Sequence, residues 1–414
     1  MRRILASLLL ILAALALAVQ ASAAAPPTGA ANLPAGFCGT CTKTDTVWAT
    51  FQSDVNAASA GQTICWNGAN VTNETLGSTA AGTAAAPINV CNINGSTDTF
   101  TTANDGIGFS ASHVHFYGWT MTGNDSGSGF GVVNFTTGLD DVAFKYNTIS
   151  HFGFSGIQEN NTDCVDIEYN TVFHNASTGG SGAGGHGSDI SVYEPATVAA
   201  CTATYGINIS NNLTYGALNP SGGYDGNGII IDSLTNVSYT KKVLISNNIG
   251  YGNFGACVKD YNIATTNNLQ IVSNDCYLNQ LGNNPLTCRG EIANEATSGV
   301  IVIGNNAIVY SSNVTGDTPI DNGCAPTPIT GGNQTDNYYP SSTQTFFTSP
   351  TTDFTEASGS ATIGAGVSGG GIAVPPLDIA GVSRLATFDV GAYDTATVPP
   401  VVSGVSGGST SNWW

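Results

Sequence analysis

Acidic and basic residues recur at the same place in three short, otherwise apolar segments of the chain. These segments are GIIID (228–232), ACVKD (256–260) and TCRGE (287–291). Aligned on one another, they put Asp232 beside Asp260, with Glu291 next to Asp260. If successive segments stack as strands about 4.8 Å apart, these carboxylates converge within reach of one metal ion. Hard oxygen ligands of this kind favour Ca²⁺, and the predicted ligands are Asp225, Asp232, Asp260 and Glu194.

The basic residues of the same segments point to proton abstraction next to a carboxylate. Lys259 is the predicted base, and Arg289 is predicted to neutralise the carboxylate of the substrate. Together with Ca²⁺, these roles describe a lyase that acts on a uronic-acid polymer such as pectate or alginate. The simpler interpretation is that Lys259 only pairs with Asp232 or Asp260, since an acidic neighbourhood keeps an ammonium protonated.

The elements that would position these residues are short strands in a repeat. Six segments alternate apolar and polar residues and then reach an Asn or Asp, which predicts a strand with one buried face followed by a turn. The sixth positions of these segments are Asn147, Asn170, Asn212, Asn248, Asp275 and Asn306, and Trp119 takes that place in an earlier segment. Stacked turns would let each Asn bond to the next, which predicts a parallel β-helix with an asparagine ladder.

A second strand in each coil is predicted between the ladder segments, and it contains the charged residues described above. Two further members of this set are SGIQEN (155–160) and DISVYE (189–194). The fold class is therefore all-β, a single-stranded parallel solenoid in which each coil contacts only its neighbours. Residues 24–100 are predicted to form a disulfide-rich N-terminal cap, residues 101–395 the β-helix, and residues 396–414 a flexible tail.

Composition and cysteine usage indicate export. Arg2 and Arg3 precede an apolar run and small residues, which predicts a signal peptide over residues 1–23 and no membrane span after its cleavage. The ten cysteines, an even number, are then predicted to form disulfides. Cys257 and Cys288 occupy similar places on adjacent coils and are candidates to pair, or to be buried separately.

Charge excludes several classes of partner. The formal net charge of −19 becomes −21 without the two arginines of the signal peptide. Such a chain lacks the basic surface that nucleic acid requires, and it would repel a polyanion unless a cation bridged the two. The expected partner is an extracellular polysaccharide, and the expected state is a monomer.

The chain resembles secreted bacterial right-handed β-helix proteins of the pectate-lyase-like group over roughly residues 105–394. The resemblance is carried by DGNGIIID (Asp225–Asp232) and by the C-terminal PLDIAGVSRLATFDVGAYD (Pro376–Asp394). It implies the architecture, but it leaves several activities open, because the group contains lyases, polygalacturonase-type hydrolases and members with no known activity.

Two alternatives to the lyase therefore remain. Short strings around Asp163 and His186 resemble two motifs of polygalacturonases, which would make the chain an inverting glycoside hydrolase. The third possibility is a non-catalytic rod that binds carbohydrate, with Tyr193, Tyr224 and Tyr261 stacking on sugar rings. His113 and His115 share one strand face, and a metal pair there lacks an evident third ligand.

Overall fold

The computed structural model describes residues 33–127, 129–134, 136–178, 187–219, 225–234, 239–261, 268–281, 290–295, 300–310, 318–321, 337, 346–349, 353–369, 371–384 and 387–394. The predicted signal peptide and C-terminal tail lie outside these residues. No helix in the described part is long and apolar enough to cross a membrane.

Three parallel sheets form the sides of a parallel β-helix, and each full coil contributes one strand to each sheet. The first sheet, sheet A, contains β1 (Lys43–Asp45), β2 (Thr63–Trp66), β5 (Ile88–Asn92), β8 (Val114–Tyr117), β11 (Leu139–Lys145), β14 (Thr162–Glu168), β17 (Tyr205–Ser210), β20 (Lys242–Ser246), β23 (Asn268–Val272) and β26 (Val300–Gly304).

Sheet B follows sheet A in each coil. It contains β3 (Val71–Thr72), β6 (Thr97–Thr99), β9 (Thr120–Thr122), β12 (Thr148–Ser150), β15 (Thr171–Phe173), β18 (Leu213–Tyr215), β21 (Ile249–Tyr251), β24 (Asp275–Tyr277) and β27 (Ala307–Val309). The sequence predicted only two strands per coil, because these short strands merged with the sheet A strands into single eight-residue segments.

Sheet C closes the coil and is the predicted second strand. It contains β4 (Leu76–Ser78), β7 (Ile107–Phe109), β10 (Val132–Asn134), β13 (Ile157–Asn160), β16 (Ile190–Tyr193), β19 (Ile229–Asp232), β22 (Val258–Tyr261), β25 (Gly290–Glu295) and β28 (Thr318–Asp321). A separate antiparallel hairpin joins β29 (Phe347–Ser349) and β30 (Asp353–Glu356).

Apolar side chains stack along the axis inside the three sheets. Alternation along a strand turns every second residue inward, so that the same position of each coil meets its counterpart in the next. In sheet A this inward column is fully buried, and its members are Ile64, Val90, Phe116, Phe144, Ile167, Ile209, Ile245, Ile271 and Ile303.

The asparagine ladder lies at the corner between sheets A and B and confirms the predicted repeat. Each Asn side-chain oxygen accepts from the backbone N–H and the side-chain amide of the ladder residue one coil earlier. Asn170 accepts in this way from Asn147 at 2.9 and 3.0 Å, and donates to the Phe144 carbonyl at 2.8 Å. Trp119 begins the ladder by donating its backbone N–H to Asn147 at 2.9 Å.

One predicted ladder position is wrong by one residue. Asn274, and not Asp275, continues the ladder, because Leu269 pairs with Val243 and shifts the fifth segment by one position. The hydrogen-bond chemistry agrees, because each ladder side chain must donate as well as accept. An ionised carboxylate has no hydrogen to donate. Asn337 extends the ladder beyond Asn306, which the sequence analysis did not anticipate.

The N-terminal end of the solenoid is closed by a helix that the sequence did not predict, α1 (Trp48–Asn56). Its Phe51 and Val55 are buried against this end of the solenoid, where Phe51 contacts Trp66 of β2 and Trp119, which follows β8. The first complete coil consists of β2, β3 and β4. The three sheets therefore already include much of residues 63–99, which belong to the segment 24–100 predicted as a cap.

Four disulfides are present in the described residues, and two of them fasten the N-terminal segment to sheet A. They are Cys38–Cys91, Cys41–Cys65, Cys164–Cys201 and Cys257–Cys276. The suggested pairing of Cys257 with Cys288 is wrong, because Cys257 points into the solenoid and meets Cys276 of the next coil there. Cys288 itself lies outside the described residues.

The C-terminal segment folds back onto the outside of the solenoid through one arginine. Arg384 Nη2 donates to the carbonyls of Gly391 at 2.7 Å and Ala392 at 3.1 Å and to Asn247 Oδ1 at 3.0 Å. The backbone N–H of Ala392 donates to Asp275 Oδ1 at 3.1 Å, which explains the acid next to the ladder. This segment packs over the outer aromatic column of sheet B, including Tyr251.

We expect Asn248→Ala to lower the free energy of unfolding by about 3 kcal/mol, because it leaves the buried Asn212 amide and Ile209 carbonyl unsatisfied. Denaturant unfolding monitored by circular dichroism measures this loss. Asn208→Ala on the outer face of the neighbouring strand is the control and should cost less than about 1 kcal/mol, since water replaces its bonds. Equal losses in the two variants would contradict a special role for the ladder.

Candidate functional site

The outer face of sheet C carries four of the predicted site residues, Tyr193, Asp232, Lys259 and Tyr261, in two columns that run along the axis. The first column contains Gln158, Ser191, Ile230, Lys259 and Ala293 in register. The second contains Asn160, Tyr193, Asp232 and Tyr261. Lys259 is the only lysine or arginine in the described strands of sheet C.

The predicted alignment of the charged segments is wrong by one residue. Asp260 pairs with Ile231, whereas Asp232 pairs with Tyr261. Strand alternation therefore turns Asp260 into the interior, where it is fully buried, while Asp232 faces outward. The structure does not bring Asp260 to the face on which Asp232 and Lys259 lie.

Glu291 also lies elsewhere than predicted. It is fully buried at the corner between sheets B and C, where it ends a second amide ladder. Its Oε1 accepts from the backbone N–H of Asn279 at 2.9 Å, and its Oε2 accepts from the Asn279 side chain at 2.6 Å. Asp189 takes the equivalent position next to Asn175, whose side-chain amide donates to Asp189 Oδ1 at 2.9 Å. Burial raises the pKa of Asp189 well above its ordinary value, although the hydrogen bonds from Asn175 act to lower it.

A pocket of about 310 Å³ opens on this face and contains two of the predicted metal ligands. Its lining includes Asp225 and Asp232 together with neutral polar side chains and two aromatic rings, namely Gln158, Asn160, Ser191, Tyr193 and Phe130. Sequence reasoning missed Gln158, Asn160 and Ser191, because single polar residues at outward positions of a strand carry no distinctive signal. The available signal was the alternation of these polar residues with the apolar Ile157 and Ile190, which marks their positions as outward-facing.

Hydrogen bonds fix the polar side chains of the pocket floor. Ser155 Oγ donates to Gln158 Oε1 at 2.9 Å, and Gln158 Nε2 donates to Asn160 Oδ1 at 2.9 Å. This chain of bonds orients the Gln158 and Asn160 side chains before any ligand arrives. A ligand that binds here therefore meets pre-positioned polar groups.

Two exposed tyrosines flank Asp232 in its column. Tyr193 is 37% exposed and Tyr261 is 42% exposed, and they lie one coil to either side of Asp232. Exposed aromatic side chains in register, two coils or about 10 Å apart, offer ring faces to a sugar chain laid along the axis. Two other aromatic side chains of the coils, Trp119 and Tyr251, are buried.

Lys259 lies one coil beyond the pocket, between Ile230 and Ala293 of its own column. Only 4% of the residue is exposed, and its Nζ is 5.9 Å from the centre of the Tyr261 ring. The aliphatic part of the Lys259 side chain is therefore packed against the outer face of sheet C. The terminal amine is held near the ring that extends outward from the next position of the strand.

Glu194 follows Tyr193 directly and stays close to it. Its backbone lies in the left-handed region, with φ of 46°, and its N–H donates to the Asp232 carbonyl at 3.0 Å. Burial and a hydrogen bond to Glu194 raise the pKa of Tyr193. The structure therefore brings Asp225, Asp232, Tyr193 and Glu194 to one region, whereas Tyr224 and Arg289 lie outside the described residues.

The side chains around the pocket include oxygen donors of the kind that could bind Ca²⁺. In the described residues, no three His, Cys, Asp or Glu side chains are grouped closely enough to hold a metal ion by themselves. Asp225 and Asp232 nevertheless line one pocket with amide and hydroxyl oxygens, which are the hard donors that Ca²⁺ prefers. These donor types fit Ca²⁺, and water and substrate would supply its remaining ligands.

Asp163, one of the two residues suggested by the polygalacturonase motifs, is held in a buried network of hydrogen bonds and an ion pair. Asp163 is fully buried, and its Oδ2 contacts Lys241 Nζ at 2.7 Å and the Val198 N–H at 2.7 Å. Its Oδ1 accepts from the Tyr239 hydroxyl at 2.8 Å. Asp163 thus holds a loop onto the solenoid, and His186 lies outside the described residues.

His113 and His115 share a partner that the sequence did not reveal. Asp141 Oδ2 is 3.0 Å from His113 Nδ1, and its Oδ1 is 3.0 Å from His115 Nε2. Burial alone would raise the pKa of Asp141, but hydrogen bonds from the two histidines lower it. Tyr117 extends the network with its hydroxyl 2.9 Å from His115 Nδ1.

Comparisons with known proteins support the fold and leave the chemistry open. No protein-family model matches the chain, and no curated protein matches it. The solved structure of pectate lyase Pel9A is similar with a TM-score of 0.54 and 14% identity, over 88% of this chain and 99% of that one. At this level of identity, the likeness establishes a right-handed parallel β-helix and no activity.

Two other solved structures show weaker similarity. An alginate lyase from Paenibacillus sp. strain FPU-7 has a TM-score of 0.39 and 12% identity, over 73% of this chain and 99% of that one. A family GH136 lacto-N-biosidase from Eubacterium ramulus has a TM-score of 0.42 and 11% identity, over 71% of this chain and 64% of that one.

We expect Asp163→Ala to destabilise the protein by about 3–5 kcal/mol, because it leaves the Lys241 ammonium partly buried without its carboxylate. Thermal and denaturant unfolding measure the loss. Asp166→Ala, which removes a half-exposed acid 3.5 Å from Lys145, is the control and should cost less than about 1 kcal/mol. A stable Asp163→Ala variant that has lost activity would instead identify Asp163 as catalytic.

Glu159, which points inward behind the pocket, makes stability depend on pH. Burial raises its pKa from 4.5 to about 8, so the stability present below pH 4.5 is lost as pH rises to about 8. We expect Glu159→Gln, neutral at every pH, to be more stable than wild type at pH 8 by a few kcal/mol. Unfolding curves at pH 4.5, 6 and 8 test this, and parallel pH profiles for the two proteins would contradict it.

Proposed function

We propose that the chain is a secreted polysaccharide-active protein that binds its substrate along the outer face of sheet C. The exposed Tyr193 and Tyr261 on either side of Asp232, next to a pocket lined by polar side chains, support this assignment. Four disulfides in the described residues are consistent with export. One solved structure with a similar fold is a pectate lyase.

The reaction we propose is β-elimination on a uronic-acid polymer, with Lys259 as the base. The observation that carries this proposal is the position of Lys259, the single cation of the described sheet C strands, beside the column that contains Asp232. In its uncharged form, its amine removes the proton from the carbon next to the uronate carboxylate and becomes an ammonium. A carbon–carbon double bond forms, the bond to the glycosidic oxygen breaks, and that oxygen leaves with a proton from solvent. Arg289 retains its predicted role of neutralising the carboxylate.

Ca²⁺ is the proposed cofactor of this reaction. Asp225 and Asp232 would hold it, with Glu194 close by at the end of β16. A bound Ca²⁺ draws electron density from the uronate carboxylate and so acidifies the adjacent carbon. Asp225 and Asp232 also give the face a negative charge, which repels a polyuronate until a cation neutralises it.

A second candidate, glycoside hydrolysis, is favoured by the composition of the pocket itself. Asp225 and Asp232 line the same cavity, and the lining contains no lysine or arginine among the described residues. Two carboxylates that share a site can divide the roles of general acid and general base. A neutral sugar chain would bind to this pair without a bridging cation.

The first experiment measures the ultraviolet absorbance of unsaturated products on a panel of pectate, alginate and other uronate polymers, with and without chelator. We expect a Ca²⁺-dependent rise that Lys259→Ala lowers at least about a hundredfold, the usual contribution of a positioned base. Lys242→Ala, which removes an exposed lysine at the start of β20, is the matched control and should leave the rate unchanged.

Other outcomes decide between the remaining functions. New reducing ends without absorbance, insensitive to chelator and lost in Asp225→Asn and Asp232→Asn, would establish the hydrolase and exclude the lyase. If neither product forms while oligosaccharides still bind and Tyr193→Ala weakens them, the protein is a carbohydrate-binding rod.

A further inference from the structure

The corner between sheets A and B contains two residues whose conformation is unfavourable for their type. In the described coils from Trp119 to Asn306, the residue just before the ladder position has a positive φ, so that the chain can turn sharply into sheet B. In five of these coils the residue is Gly118, Asn211, Asn247, Ser273 or Asn305. In two adjacent coils it is Tyr146, with φ of 61°, and Tyr169, with φ of 57°.

Glycine and asparagine tolerate the left-handed region, whereas a bulky side chain there is disfavoured. Five coils of this chain show which residues the turn itself prefers. Two consecutive tyrosines at the same position therefore cost stability that the fold does not require. Backbone conformations of this kind tend to persist where the side chain has a role beyond the turn.

The two tyrosines form part of an aromatic group at the surface. The rings of Tyr146 and Tyr169 stack with centroids 5.0 Å apart and planes within 5° of parallel. The Phe37 ring meets Tyr146 edge-on at 4.8 Å, and Phe37 is 40% exposed. Cys38 and Cys41, just after Phe37, are bonded to strands of sheet A, which holds this ring in place.

A pocket of about 420 Å³ opens beside this group, within the ~300–1,000 Å³ range of small-molecule sites. Residues of the segment from Leu33 to Cys41 form part of its lining, together with Tyr146 and Thr148. The lining combines aromatic faces with polar atoms of Asn92, Thr120 and Thr148, and none of its described residues is charged. We name it the corner pocket.

We propose that the corner pocket binds a neutral saccharide, with Phe37 and Tyr146 as the aromatic surface for the sugar ring. Sugars present apolar C–H faces that pack on aromatic rings and hydroxyls that bond to amides and hydroxyls, and the corner pocket contains both kinds of partner. A charged sugar would leave its ionised group unpaired there, at a large cost in desolvation.

This site is separate from the proposed cleavage face. In a three-sided solenoid, the corner between sheets A and B lies opposite sheet C. A chain bound at the corner pocket therefore cannot be the segment that lies over Lys259. The corner pocket is a second, non-catalytic anchor, and its existence does not depend on whether sheet C performs elimination, hydrolysis or neither.

The test is calorimetric titration of the intact, disulfide-bonded protein with neutral gluco-, xylo-, manno- and galacto-oligosaccharides, and with oligogalacturonate for comparison. We expect at least one neutral series to bind, and Tyr146→Asn to weaken it about tenfold. Asparagine is the substitute because it occupies this turn in three other coils, so the melting temperature should stay within a few degrees of wild type. Tyr146→Phe keeps the ring and should bind as wild type does.

The controls separate this site from sheet C. Tyr193→Ala should leave neutral binding at the corner pocket unchanged, and Tyr146→Asn should leave any cleavage rate unchanged. The proposal is overturned if no neutral oligosaccharide binds, if oligogalacturonate binds more tightly at this site, or if Tyr146→Asn keeps wild-type affinity. If Tyr146→Asn does not fold, Phe37→Ala, which removes the other aromatic ring of the lining, takes its place and should also weaken neutral binding. Unchanged affinity in the folded Phe37→Ala variant would overturn the proposal.

Discussion

A buried amide at the corner between sheets A and B is the interaction on which the solenoid depends. At each such turn the backbone leaves the ladder of sheet A before it enters that of sheet B, so its N–H and C=O groups need other partners. One asparagine supplies both, because its oxygen accepts from the previous coil and its amide donates to a strand carbonyl. Without that side chain, the corner would bury unsatisfied polar groups in every coil.

The ladder also fixes the register, and register decides which side chains face outward. Once Asn248 is placed above Asn212, every residue of the coil is assigned to the interior or to the surface by alternation. Lys259 and Asp232 lie on the outer side of their strands, whereas Asp260 and Glu159 point into the interior. The proposed chemistry of sheet C is thus a consequence of a contact on another side of the solenoid, and a shift of one residue would exchange the two sets.

Both ends of the chain are used to cover surfaces that the repeat leaves apolar. Helix α1 packs Phe51 against the first coil, which would otherwise expose a strand edge and core residues. The C-terminal segment, fastened by Arg384, covers the column of stacked aromatic rings that includes Tyr215 and Tyr251. Disulfides at Cys38 and Cys41 hold the segment that forms part of the lining of the corner pocket.

The sequence by itself determined the repeat, because period-2 alternation and a following asparagine are local patterns that a single coil already contains. It also placed Tyr193, Asp232 and Lys259 within predicted strands. It could not align one coil with the next, since loops of different length separate them; hence Asp275 replaced Asn274 and Asp260 was put beside Asp232. The partner of Cys257, the closing helix and the left-handed tyrosines were likewise decided only by contacts between coils, which depend on distances in space that no local pattern records.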